Sequence, residues 1–172
     1  VLCLVGSEMC IRDSSKEVTI SKSREKDIPK DLFFSITSHL KQLNLSTSNL
    51  SKKKYIFDEG IDNLLLNEKD LVDKIFLDLQ SHLILCEKNS GIWSVEYLNE
   101  IVFGQKKPYD LKTLKEGVPI MCTKNNNELG LSNGDIGVLI GLKNKRKYLF
   151  RKFNDNNEEI VALIDPSNLE NV

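Results

Sequence analysis

Two short stretches of this 172-residue chain combine cationic side chains with amides and hydroxyls in a way that suits phosphate oxygens. The first is Lys88, Asn89 and Ser90, with Ser94 shortly after them. A loop that leaves a strand and feeds a helix offers N–H groups to an anion, and these side chains could add to them. An ordinary turn with a helix cap fits the same residues. Trp93 beside them could stack on a nucleobase, or pack half-buried on the helix that follows. The second stretch is Lys124, Asn125 and Asn133, followed by the cluster Lys145, Arg146 and Lys147. Nearby, Lys106, Lys107, Lys112, Lys115, Lys143, Arg151 and Lys152 outnumber Asp110, Glu116, Glu128 and Asp135. A surface that follows a sugar-phosphate backbone has this composition. So does a well-solvated face.

The rest of the chain lacks the residue sets of a self-contained active site. A phosphate-cradling loop of the Gly-x-x-x-x-Gly-Lys-Ser/Thr kind needs a glycine followed by Lys and then Ser or Thr, and none of the 9 glycines is so placed. His39 and His82 are the only histidines, and neither belongs to a zinc-binding pair. Cys3, Cys10, Cys86 and Cys122 form no CxxC pair, while Cys86 and Cys122 sit in apolar runs as small hydrophobes. We therefore expect neither metal nor cofactor in this chain, no enzymatic activity of the chain alone, and a reduced, cytoplasmic setting. Lys and Arg total 24 against 25 for Asp and Glu, so any electrostatic attraction is local. No apolar run approaches the roughly 20 residues that span a bilayer, and a membrane partner is not expected.

The elements that must position these residues follow from apolar spacing. Leu32, Phe33, Ile36, Leu40 and Leu43 predict an amphipathic helix over 31–43, after which the polar stretch 45–54 reads as a loop. Tyr55–Asp58 reads as a short extended piece. Leu71, Val72, Ile75, Phe76 and Leu79 predict a second helix over 68–79. Leu83–Cys86 is a continuous apolar run, the pattern of a strand buried on both faces, and Ser94 is placed to cap a helix carrying Val95, Leu98, Ile101 and Val102. From 118 onward the texture is β. Strands are predicted at 118–123, 136–140, 147–153 and 159–164, joined by Gly-, Asn- and Asp-rich turns. Asn133-Gly134-Asp135 predicts a turn with positive φ at Gly134, and Gly137 predicts a close backbone approach.

Val1–Ser14 contains neither Lys nor Asn, although both abound later. It resembles the translation of a sequencing adapter, so we set it apart from the fold as an artefact; a genuine strand is the alternative. Residues 15–26 read as a linker.

The string VPIMCTKNNNELGLSNGDIGVLIG at 118–141 resembles the entry to the SH3-like barrel of RecD-type superfamily 1 DNA helicases, the alpha-subunit family of exodeoxyribonuclease V. LILCEKNSGIWSVEYLN at 83–99 is similar to a strand, turn and helix of that family's second RecA-like domain, and DPSNLENV at 165–172 to the segment closing the barrel. Ile92, Ser94, Lys124 and Ser132 depart from the family's Pro, Gly, Arg and Phe. The resemblance implies an α/β chain: a partial second motor domain over 27–106 and an SH3-like barrel over 107–170. It implies a parent that is an ATP-driven 5′-to-3′ DNA helicase of repair and recombination, using ATP and Mg²⁺ at motifs outside this segment. It also implies single-stranded DNA as partner, contacted here through Lys88, Asn89, Ser90, Ser94, Lys124, Asn125, Asn133, Lys145, Arg146 and Lys147, with further subunits of a helicase–nuclease complex as neighbours. Two other readings stay open: a free-standing nucleic-acid-binding barrel of the KOW or Tudor type, and a subunit-docking fragment.

Overall fold

Helix α1 runs Lys30–Ser51, well beyond the predicted end at 43. Its second half is poor in helix formers, since Ser, Thr and Asn side chains compete for backbone groups. What holds it is tertiary. Leu43, Thr47 and Leu50 fall on one stripe and are fully buried, and the Thr47 hydroxyl donates back to the Leu43 carbonyl at 2.8 Å. Ser46 and Gln42 donate to the two carboxylate oxygens of buried Asp78, at 3.0 and 2.8 Å. The polar residues that read as a loop are thus the hydrogen-bonding face of a packed helix. The computed structural model describes residues 28–53, 61–86, 88–104, 114–141, 146–153, 156 and 159–168, so the extended piece predicted at 55–58 and the stretch 1–26 lie outside the described residues.

Helix α2, Ile61–Gln80, is interrupted at Glu68 (φ −131°, ψ 27°). The regular segment after Glu68 matches the predicted helix and buries Val72, Ile75, Phe76 and Leu79. The four strands β1 (Pro119–Met121), β2 (Ile136–Ile140), β3 (Lys147–Phe153) and β4 (Glu159–Ile164) form one antiparallel sheet in the order β1-β2-β3-β4. Register sets which side chains share a face. Val138 pairs with Leu149, and together with Ile140 they join Leu43, Leu50, Val72, Ile75, Phe76 and Leu79 in one core, with Val161 and Leu163 of β4 packed against it. The alternate residues Leu139, Tyr148 and Phe150 point the other way and are also buried. Gly137 sits opposite Phe150, and a Cβ there would lie 2.7 Å from the ring, which is the close approach its position predicts.

One buried acid joins helix to sheet. Glu116, 7 % exposed, accepts hydrogen bonds from the hydroxyls of Ser48 (2.9 Å) and Ser51 and from the Gly141 N–H (3.0 Å). Its own carbonyl accepts from the Asn44 amide at 2.7 Å, while the next residue, Gly117, has φ +83° and lies against the Asn44 backbone. These three donors are neutral, so hydrogen bonds to hydroxyls and backbone offset the cost of burying the carboxylate. Residues 39–81 accordingly belong to the same compact unit as 110–172.

The other unit groups the described residues of Val1–Ser38 and His82–Tyr109. It contains helix α3, Val95–Phe103, capped by Ser94 as its sequence predicts and closed by Gly104 in the left-handed region (φ 68°). The run 83–86 departs from expectation. It makes a single bridge at Ile84, and Leu83 and Leu85 are exposed, because no layer of described residues covers them on both faces as a doubly buried strand requires. No helix among the described residues is long and apolar enough to cross a membrane.

Candidate nucleic-acid interface

The turn before α3 is closed by its own carbonyls. Lys88 and Asn89 accept the N–H groups of Val95 and Glu96 at 3.1 and 3.2 Å, and the Ser94 hydroxyl accepts from Tyr97 N–H at 3.1 Å. The N–H groups that an incoming anion would need are therefore engaged, and Ser94, fully buried, serves as the cap. Of the first predicted stretch, the side chains of Lys88, Asn89 and Ser90 remain exposed. Trp93 is half-buried and holds φ +64°, an uncommon conformation for a bulky residue.

The second stretch lies on the connection between β1 and β2, a tongue built almost wholly from local hydrogen bonds. At its base Cys122 exchanges backbone bonds with Asp135 O (2.9 Å) and Gly134 N (2.8 Å). Further out, Asn126 and Leu131 bond each other through both backbone groups at 2.8 and 2.9 Å, and Leu131 is buried as the anchor. Side chains complete it. Asn126 Oδ1 accepts from Leu129 N (3.1 Å), Asp135 Oδ2 from Ser132 N (2.7 Å), and Asn125 Oδ1 from Asn133 N (2.8 Å). Lys152 Nζ, reaching from β3, donates to Leu129 O at 2.9 Å. Gly134 takes φ +97°, as the Asn-Gly-Asp turn predicts. Lys124, Asn125 and Asn133 are left exposed on this tongue, and Lys124 meets no acidic side chain among the described residues.

Much of the positive charge of β3 is engaged internally, and register places Lys147 opposite Ile140, at the end of β2 away from the tongue. Lys147 pairs with Asp165 at 2.7 Å. Arg151 pairs with Asp73 of α2 and, at 2.7 Å, with Glu159 of β4, and its guanidinium lies 4.5 Å from the Phe76 ring centroid. These contacts make Arg151 a fastener between α2 and the sheet, a role that sequence spacing does not reveal. Arg146 is half-buried and engaged in an interaction of its own, and Lys145 lies outside the described residues. Among the described residues Lys124 is exposed on the tongue, and Lys115, which precedes β1 at the opposite end of the β1–β2 pair, is exposed as well. Partial burial keeps the His82 imidazole below its ordinary pKa. Among the described residues no group of His, Cys, Asp and Glu could hold a metal ion.

No protein-family model matches the chain, and no solved structure matches it. It is similar to the RecBCD enzyme subunit RecD of Buchnera aphidicola subsp. Schizaphis graminum (strain Sg), 26% identical over 149 residues that cover 80% of this chain and 24% of the relative. The RecBCD enzyme subunit RecD of Buchnera aphidicola subsp. Acyrthosiphon pisum (strain APS) is 22% identical over 156 residues, covering 80% of this chain and 25% of the relative. The chain thus spans about a quarter of the length of these curated relatives, and its likeness to RecD extends over both helical and sheet segments.

Proposed function

We propose that this chain is a segment of a RecD-type DNA helicase of repair and recombination, in which the sheet is an SH3-like module that contacts single-stranded DNA and the residues before it belong to the second motor domain. The observation that carries the reading is the RecD similarity across 80% of the chain. The tongue adds to it, since Lys124 and Asn125 stand exposed on a pre-shaped loop where phosphate contacts cost little ordering. A free-standing barrel fits less well. Helices α1 and α2 cover one face of the sheet through a shared apolar core, and Glu116 and Arg151 bind them to it.

In this reading the intact parent hydrolyses ATP with Mg²⁺ at motifs beyond the present segment and moves 5′ to 3′, and other subunits of a helicase–nuclease complex are its partners. The exposure of Phe34 (73 %), Leu83 and Ile92 favours such protein contacts for the unit that contains α3. DNA sequence on either side of the coding segment tests the proposal. A Gly-Lys-Ser/Thr loop upstream and a Thr-Arg-Ala-Arg motif downstream in the same frame are expected, and the purified chain should show no ATPase with or without single-stranded DNA. Turnover abolished by mutating a residue of this chain, or flanking frames without either motif, would defeat it.

A further inference from the structure

Asn125 and Asn133 read alike in sequence, yet the tongue gives them opposite tasks. Asn133 contributes its backbone N–H, which donates to Asn125 Oδ1 at 2.8 Å. A backbone N–H can meet only an acceptor, so this bond settles the orientation of the Asn125 amide: its carbonyl oxygen faces inward and its Nδ2 group, with two N–H donors, faces away from Asn133. The residue is exposed, and Lys124 is its chain neighbour. Neighbouring backbone is held as well. Cys122 Sγ donates to the Lys124 carbonyl at 2.8 Å, and Lys152 ties Leu129 to β3. The acidic side chains of the tongue do not compete equally, since Asp135 is engaged with Ser132 N–H while Glu128 is exposed beyond the Asn126–Leu131 pairing.

We infer that Asn125 is a direct phosphate donor, a fixed amide that works with the Lys124 ammonium on one phosphodiester of a single strand, and that Asn133 acts only by holding it in place. The inference rests on the proposed single-stranded DNA contact and assigns its chemistry within the tongue. A fixed neutral donor beside a mobile cation gives direction to a contact that charge alone would leave loose.

One substitution separates holding from binding. Asn125→Asp retains an inward oxygen for Asn133 N–H and turns the outward donor into an anionic acceptor. The whole 172-residue chain is titrated with a fluorescent oligo-dT in low salt, and thermal unfolding is followed for each variant. Asn125→Asp should melt with the parent yet bind about ten-fold more weakly, and the salt slope should fall by at most roughly 0.7 log–log units, as the new carboxylate offsets the Lys124 charge at one phosphate. Asn125→Ala, which removes the inward bond as well, should melt lower. Lys124→Glu separates the donor assignment from the DNA contact beneath it. If Lys124→Glu weakens binding and folded Asn125→Asp does not, the donor assignment is overturned while the DNA contact stands. If the parent chain does not bind oligo-dT, or neither substitution changes its affinity, the DNA contact itself fails. Weaker affinity for an acidic polypeptide but not for oligo-dT would overturn the assignment in favour of a protein partner.

Discussion

Gly117→Ala should lower the folding stability of this chain by about 3 kcal/mol or more, the largest effect expected of any single methyl group here. Two penalties combine at this position. Gly117 has φ +83°, which a side chain tolerates poorly, and its Cβ would lie 2.7 Å from both Cα and N of Asn44. Those are backbone atoms of α1 and cannot rotate aside. Relief requires the loop to move off the helix, which would stretch the 2.7 Å bond from Asn44 to the Glu116 carbonyl and the 2.8 Å bond from Gly117 N–H to Leu139 O. Gly134→Ala is the comparison, because Gly134 has φ +97° but open space around its missing Cβ. It should cost only backbone strain, about 1 kcal/mol. Urea unfolding of the two variants measures the difference, and equal midpoints would show that the approach of Gly117 to α1 is not tight.

Glu116→Ala should cost a similar amount, about 3 kcal/mol, by a different route. Its carboxylate is the acceptor for Ser48, Ser51 and the Gly141 N–H, and Ala leaves these donors facing a void. Glu116→Gln should be milder, about 1 kcal/mol, because hydroxyls can accept as well as donate. One amide oxygen can keep the Gly141 N–H while a serine turns to receive the new NH₂ group. Exposed Glu128→Ala supplies the surface control. A destabilisation at Glu116→Ala no larger than at the control would mean that the buried acid does not hold α1 to the sheet.

Both positions lie where the sequence is least readable. Strands β2, β3 and β4 fall at their predicted bounds, since β2 and β4 are rich in β-branched residues and β3 in aromatic ones, with turn residues at their ends. Ser94 as cap and Gly134 as a positive-φ turn residue are equally legible, because both are local demands of the backbone. The second half of α1 is not. Its Ser, Thr and Asn residues find their partners in Asp78 and Glu116, far along the chain, and no local pattern announces such a pairing. The candidate site divides in the same way. Sequence identifies the basic stretch, but the pairing of Lys147 with Asp165 and of Arg151 with Asp73 and Glu159 depends on strand register and on which helix lies beside β4. Counting charges along the chain overstates the free positive surface for that reason.

Whether this surface follows a DNA backbone is decided by single-stranded DNA affinity as a function of salt. Fluorescence anisotropy of oligo-dT with the whole chain should give a linear fall of log affinity with log salt. Reversal of Lys124 to Glu should weaken binding and flatten that slope by roughly 0.7, the value for one phosphate no longer neutralised, without altering sequence preference. Circular dichroism on the same samples confirms that the variant is folded. A folded, charge-reversed protein that binds with the affinity and salt slope of the parent would refute a DNA-tracking role, and would assign this surface to solvent or to a protein subunit instead.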